Sequence, residues 1–86
     1  MNQQTTLQFK LPRPGELFKY GSQNYQLYEA LYRHGRITNV AIRDLYIMSH
    51  TRRISDVREK LKPFCMDIKK EPVGAGVYSY YIAGAN

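Results

Sequence analysis

Residues 37–61, ITNVAIRDLYIMSHTRRISDVREKL, decide the fold that the sequence predicts. On both sides of the segment Tyr46-Ile47-Met48, apolar residues recur at the three- and four-residue spacing of helices that bury one face. The segment itself interrupts that spacing, so we expect it to be a turn. The stretch therefore predicts two short helices joined by a tight turn, and the second helix carries basic residues on its exposed face.

The first helix of this pair is expected over residues 39–46. Thr38 stands just before it, where a side-chain hydroxyl can accept a hydrogen bond from an open backbone N–H. Ile42 and Leu45 fall on one face of the helix, and Arg43 falls on the opposite face. We therefore expect the two apolar residues in the core and Arg43 at the surface.

The second helix of the pair is expected over residues 49–62, capped by Ser49, because Pro63 disfavours helical geometry in the residue before it. Its apolar stripe consists of Ile47, Ile54, Val57 and Leu61. Its outer face consists of Ser49, Arg52, Arg53, Asp56 and Lys60. His50 and Thr51 fall toward the apolar side, where we expect a packed histidine.

An N-terminal arm and a further helix precede the pair. The helix is expected over residues 24–34, with Ser22 as its N-cap and Gly35 as its end. Residues 1–20 are expected to be an extended arm, flexible or partly packed, because the prolines and glycine of LPRPG at 11–15 disfavour a helix.

Two features of the arm could matter for function. Leu7, Phe9 and Leu11 alternate with polar residues, as in a strand. Lys10 and Arg13 could follow a phosphate backbone. The arm is therefore a candidate for docking on a partner.

A β-hairpin is expected over residues 65–83, after the helical pair. Its strands cover 65–70 and 77–83, and the glycines between them allow the positive φ angles of a hairpin loop. Residues 84–86 are a tail. The sequence thus predicts one α+β domain over residues 21–83, with three helices followed by a two-stranded hairpin.

The charge of the chain favours a polyanionic partner. Thirteen Lys and Arg stand against seven Asp and Glu, which gives a formal charge of +6 over 86 residues. An excess of this size suits nucleic acid, although charge also keeps proteins soluble. No apolar run approaches the ~20 residues of a membrane span, so no membrane partner is expected. The N-terminus has no signal-peptide segment, so we expect a cytoplasmic protein.

Catalysis has little support in the sequence. Cys65, the one cysteine, cannot form an internal disulfide. His34 and His50 are expected on elements other than that of Cys65, without a carboxylate to orient either of them. No glycine-rich phosphate loop or carboxylate cluster is present. We expect no enzyme activity, no cofactor and no metal.

Residues from about 25 to 82 resemble a family of small helix-turn-helix proteins of bacteriophages and prophages. In that family Ile-Thr opens the second helix, and Arg-Ile-x-Asp-aliphatic-Arg marks the third. The matching residues here are Ile37-Thr38, Ala41 and Arg53-Ile54-Ser55-Asp56-Val57-Arg58. The family usually has glycine in the turn and often at the end of the third helix, where this sequence has Tyr46 and Lys62-Pro63.

The resemblance implies a winged helix-turn-helix fold that binds double-stranded DNA in phage transcriptional regulation, replication or excision, in the cytoplasm of a bacterial host. Helix 49–62 would enter the major groove, and the 65–83 hairpin wing would lie on phosphates. The residues expected at base edges are Ser49, Arg52 and Arg53, with Arg53 shared between Asp56 and the phosphates. The residues expected on the DNA backbone are Arg43, Lys60, Lys62, Lys69 and Lys70.

A second hypothesis comes from a different functional class. Phage winged helices can bind a host protein, such as a polymerase, nuclease or defence complex. Exposed tyrosines and the apolar arm would suit such a contact. A homodimer is compatible with either hypothesis, since many helix-turn-helix proteins bind paired half-sites, but no dimerisation helix is visible.

Overall fold

The computed structural model describes residues 11–84 of the chain. They form an α+β domain with four α-helices, a 3₁₀ turn and a three-stranded antiparallel sheet. The helices are α1 (Pro14–Leu17), α2 (Gln23–His34), α3 (Asn39–Asp44) and α4 (His50–Leu61), and the 3₁₀ turn is Lys62–Phe64. The strands are β1 (Arg36–Thr38), β2 (Met66–Gly74) and β3 (Val77–Gly84), in the spatial order β1-β3-β2.

The predicted caps of α2 and α3 are confirmed. The Ser22 hydroxyl accepts a hydrogen bond from the backbone N–H of Tyr25 at 3.1 Å. Gly35 ends α2 with a φ of 86°, a left-handed conformation that glycine adopts at little cost. The Thr38 hydroxyl accepts from the N–H of Ala41 at 3.0 Å. These caps fix where each helix begins or ends relative to the sheet.

The sequence predicts three helices and two strands, and the described residues contain one more of each. Strand β1 is too short for an alternating pattern, and it depends on antiparallel pairing with β3, where Ile37 lies opposite Tyr80. Helix α1 begins with Pro14 at its first turn, a position where proline is favoured. The prediction that proline and glycine prevent a helix here is therefore wrong.

The hairpin is longer and tighter than predicted. Strand β2 continues to Gly74 rather than ending near residue 70, so the connection shrinks to Ala75 and Gly76, with an irregular register near Pro72. Cys65 lies before the strand, is exposed, and has a φ of 60°. The predicted start of the strand at residue 65 is therefore wrong by one residue, because the 3₁₀ turn ends at Cys65 and the strand begins at Met66.

The core confirms the apolar stripe of α4. The core residues come from every helix except α1, from all three strands and from the turn before α4, which contributes Ile47. They are Leu27, Tyr28, Leu31, Ile37, Ile42, Ile47, Ile54, Val57, Leu61, Met66, Ile68, Tyr80 and Ile82. Leu45 was predicted in the core but is 42% exposed. It lies one residue beyond the end of α3, so it no longer follows the face that Ile42 defines.

Tyr28 ties the part of the arm that is described to the domain. Its side chain is fully buried, and its hydroxyl donates to the backbone carbonyl of Pro12 at 2.7 Å. Burial raises the pKa of Tyr28 well above its ordinary value, and the neighbouring Tyr32 and Glu16 raise it further. Side chains that pack on the core from this segment are Leu11, Leu17 and Phe18. The predictions for Leu7, Phe9 and Lys10 concern residues outside the described range.

Candidate nucleic-acid interface

The turn between α3 and α4 contains strained backbone that α2 supports. Tyr46 has a φ of 61° and Ser49 a φ of 53°, both in the left-handed region that L side chains adopt at a cost. The side-chain amide of Gln23 donates to the Tyr46 carbonyl at 3.3 Å and accepts from the Met48 N–H at 3.1 Å. This pair of bonds fixes the position from which α4 departs.

Tyr46→Gly is expected to stabilise the fold by about 0.5–1 kcal/mol. Glycine removes a left-handed strain of roughly 1–2 kcal/mol and loses part of that gain to its greater freedom when unfolded. Denaturant unfolding measures the change. Tyr46→Ala is the matched control, because it removes the 85% exposed ring while keeping the strain. Equal stability of the glycine and alanine variants would contradict the assignment of strain to the backbone.

Arg43, Ser49 and Arg52 line one open depression of about 680 Å³ at the N-terminal end of α4. Arg43 comes from α3, Ser49 is the N-cap residue before α4, and Arg52 lies in the first turn of α4, so the turn brings them together. The structure shows no ion pair from Arg43 or Arg52 to any residue within 11–84. Two guanidinium groups are therefore available to an external anion beside the positive end of a helix dipole.

Ser49 occupies the N-cap position of α4 as predicted, but its hydroxyl makes no capping hydrogen bond. Capping serine normally has extended backbone, which aims the hydroxyl at the first-turn N–H groups. Ser49 instead has a left-handed backbone, and only its backbone carbonyl bonds to the helix, accepting a hydrogen bond from the Arg53 N–H at 3.1 Å. The exposed hydroxyl of Ser49 therefore does not cap α4, contrary to the prediction, and it can donate to an external acceptor.

Arg53 turns toward α2 rather than into the depression. One guanidinium nitrogen donates to the side-chain oxygen of Asn24 at 3.3 Å and to Asp56 at 3.4 Å. Asn24 also donates to Asp56 at 3.3 Å, which closes a triangle between the two helices. The Arg53 side chain is 26% exposed, and its buried Nε has no partner among the described residues. Its contacts therefore position α4, and base contact by Arg53 stays a prediction.

His50 packs against the sheet, as expected from its position toward the apolar side of the helix. Thr51, which was expected on the same side, is exposed. The His50 ring is half-buried and meets the Tyr80 ring edge-on, with centroids 6.1 Å apart. Thr51 is exposed and lines the depression, and the exposed Ser55 lies beside it. Sequence reasoning missed both hydroxyl residues as site members. Helical spacing relative to the buried Val57 was a signal for Ser55, because it places this residue on nearly the opposite side of α4 from Val57, outside the apolar stripe.

Lys69 and Lys70 lie on opposite faces of the sheet. Lys70 pairs in register with Tyr80, whose face is packed toward α4, and its Nζ is 4.9 Å from the centroid of the Tyr78 ring. Lys69 pairs with Tyr81, over which the guanidinium of Arg36 stacks on the other face. Only Lys70 therefore shares a surface with the exposed side of α4.

Two further residues predicted on the DNA backbone, Lys60 and Lys62, lie near the C-terminal end of α4 and in the 3₁₀ turn that follows it. Lys62 forms an exposed ion pair with Glu59 at 3.0 Å. Lys60 lies seven residues after Arg53, so helical geometry places it on the same side, toward α2. Neither residue adjoins the depression. Their contacts with DNA phosphates stay predictions.

Asn39 fixes the hairpin relative to the helices. Its side chain donates to the Gly76 carbonyl at 3.3 Å and accepts from the Tyr78 N–H at 2.9 Å. The two bonds join the first residue of α3 to the hairpin turn. No local sequence pattern predicts this contact, since the partners are separated by more than thirty residues.

Residues 11–84 offer neither a metal site nor a membrane-spanning helix. This range contains no group of three or more His, Cys, Asp or Glu side chains that could hold a metal ion. None of its helices is both long and apolar enough to cross a membrane. Comparisons of the chain with protein-family models, curated proteins and solved structures gave no match.

Proposed function

We propose that this protein is a winged helix-turn-helix protein that binds double-stranded DNA and has no catalytic activity. In this proposal α3 and α4 form the helix-turn-helix, α4 enters the major groove, and the β2–β3 hairpin is the wing. The groove of B-form DNA admits one α-helix, and the N-terminal residues of that helix contact the base edges. A role in transcriptional regulation, replication or excision for a bacteriophage, in the host cytoplasm, follows from the resemblance.

The observation that carries the proposal is the convergence of Arg43, Ser49 and Arg52 on one open surface. Arg52 stands where a forked guanidinium can donate to O6 and N7 of guanine, a contact worth about 1–3 kcal/mol of discrimination. Arg43 stands on the neighbouring helix, where it can neutralise a phosphate. Such backbone contacts orient a protein on the duplex without selecting sequence.

The charge distribution supports the same assignment. The described part of the chain has five ion pairs, and each of them joins a basic residue to one of the seven carboxylates. Neither Arg43, Arg52 nor Lys70 belongs to any of them. Arg43 and Arg52 line the depression at the start of α4, and Lys70 shares the exposed side of α4, so these three charges are available to DNA on one side of the domain. The other described basic residues outside the ion pairs lie elsewhere: Arg13, Lys19, Lys60 and Lys69.

One observation favours the second hypothesis, a module that binds a host protein. Tyr46 and Met48 in the turn are 85% and 69% exposed, and Gln23 ties this turn to the beginning of α2. Large exposed apolar side chains are typical of protein interfaces. A host polymerase, nuclease or defence complex would be the partner.

Selection of duplexes from a random pool at physiological salt separates the two functions. For a DNA-binding protein we expect an enriched sequence and a gel shift with that sequence. A palindromic result would also indicate a homodimer, because symmetric half-sites match a two-fold protein. No enrichment and no shift, together with stoichiometric binding to a purified host protein that Tyr46→Ala abolishes, would overturn the proposal in favour of the second hypothesis.

A further inference from the structure

A second groove lies between α4 and the hairpin, beside the depression that Arg43 lines. Thr51 and Ser55 form the α4 side of this groove of about 320 Å³, and Lys70 forms the hairpin side. The two hydroxyl residues are four positions apart, so they are neighbours on one helix face. The floor includes Ile68 and Tyr80, both buried. Two hydroxyl donors thus face a cation across an apolar floor.

Lys70 is held in place without a carboxylate. Its Nζ lies over the ring of Tyr78 at 4.9 Å, a cation–π contact that uses none of its three N–H donors. No ion pair links it to any described carboxylate. Its charge and its donors are therefore both available to an anion in the groove.

Arg58 is a second cation at this groove, and part of its guanidinium is hydrogen-bonded to Asp67. Arg58 lines the same groove, and its Nε and one Nη donate to the two oxygens of Asp67 at 2.8 and 3.4 Å. The hydrogen bonds from Arg58 lower the pKa of Asp67, so the carboxylate is charged at neutral pH. The other Nη of Arg58 is not used in this pair. Asp67 therefore competes with any anion that Arg58 contacts.

We infer that this groove binds one phosphodiester group of a DNA strand. Thr51 and Ser55 donate hydrogen bonds to its oxygens, Lys70 and Arg58 neutralise its charge, and Asp67 weakens the contact of Arg58. Phosphate is a fitting ligand because it accepts several hydrogen bonds while carrying one charge. The inference rests on the proposed DNA binding and adds to it a residue set for gripping the strand between α4 and the hairpin.

Two kinds of variant separate hydrogen bonding from charge, with a random-sequence duplex as the probe over a salt series. Thr51→Val and Ser55→Ala should each weaken binding about three- to tenfold and leave the salt slope unchanged, because they remove a donor but no charge. Lys70→Ala should weaken binding by a similar factor and make the slope shallower by about 0.9, because one phosphate contact is lost. Thermal unfolding confirms that each variant folds.

Lys69→Ala is the matched control, since it removes the same charge one residue away on the opposite face. It should leave the slope unchanged, because Lys69 makes no phosphate contact in the proposed arrangement, contrary to the expectation from the sequence. Asp67→Asn should strengthen binding about threefold by releasing Arg58, while its side-chain oxygen can still accept from the Ile68 N–H. An equal change of slope for Lys69→Ala and Lys70→Ala, or no effect of Thr51→Val and Ser55→Ala, would overturn the groove assignment.

Different results would contradict the proposed DNA binding and the proposed phosphate contact in the groove. If the wild-type chain binds no duplex, DNA binding itself is wrong. If the wild type binds and Arg52→Ala weakens it, but the groove variants bind as the wild type does, only the groove assignment is wrong. Saturable binding of inorganic phosphate that Lys70→Ala abolishes, with unchanged affinity for duplex, would overturn the assignment in favour of a free-phosphate site.

Discussion

Arg52→Ala is expected to weaken binding to the preferred DNA sequence by about 1–3 kcal/mol more than binding to random duplex, which is roughly a five- to 150-fold loss of specificity. Arg52 is exposed at the open end of α4 and pairs with no described carboxylate. Its guanidinium can therefore donate two parallel hydrogen bonds to guanine. Competitive binding of the selected and the random duplex measures the difference.

Two variants control this result. Arg52→Lys keeps the charge but loses the forked donor geometry, so it should lose specificity while keeping most of its affinity for random duplex. Lys70→Ala removes a backbone contact, so it should weaken binding to both duplexes alike. If Arg52→Ala also weakens both duplexes by the same factor, Arg52 is a phosphate contact and does not select the base.

Tyr28→Phe is expected to lower the free energy of unfolding by about 1–3 kcal/mol at neutral pH, because it leaves a buried carbonyl of Pro12 without its donor. The difference should then shrink as pH rises. Tyr28 ionises in the unfolded chain above a pH of about 10 but stays neutral in the fold, where its pKa is raised. The wild type therefore loses up to about 1.4 kcal/mol per pH unit there, and the phenylalanine variant lacks this loss.

Urea unfolding of both proteins over a pH series tests this. The pKa of Tyr80 is also raised by burial and by Tyr78, so both proteins should keep a smaller alkaline decline. Tyr20→Phe is the control, because its side chain is 82% exposed, and it should leave the free energy of unfolding nearly unchanged. Parallel curves for wild type and Tyr28→Phe above pH 10 would contradict the buried, neutral state of Tyr28.

The parts of the fold that local sequence determines were predictable. The caps at Ser22, Gly35 and Thr38 depend on residues within one helical turn, so their chemistry shows in the sequence. Strand β1 depends on pairing with β3, and the Asn39 contacts depend on the hairpin turn. Such contacts join residues far apart in the chain, and no periodic pattern reports them.

In the candidate site too, the features that depend on local spacing were predictable, and the contacts between separate elements were not. Helical spacing indicated the Arg53–Asp56 pair, but the bond of Arg53 to Asn24 comes from packing between two helices. The opposite faces of Lys69 and Lys70 follow from the alternation of any strand, a signal that was present in the sequence. Tyr46 adopts a left-handed backbone, with a φ of 61°, so this turn forms without a glycine at that position.

Binding of the intact chain to random-sequence duplex DNA over a series of salt concentrations tests the proposed function most directly. If about four to six phosphates are neutralised, we predict saturable binding whose log affinity falls against log salt with a slope near −4 to −5. The absence of saturable binding at the lowest salt, or an affinity that does not change with salt, would contradict DNA binding by this surface.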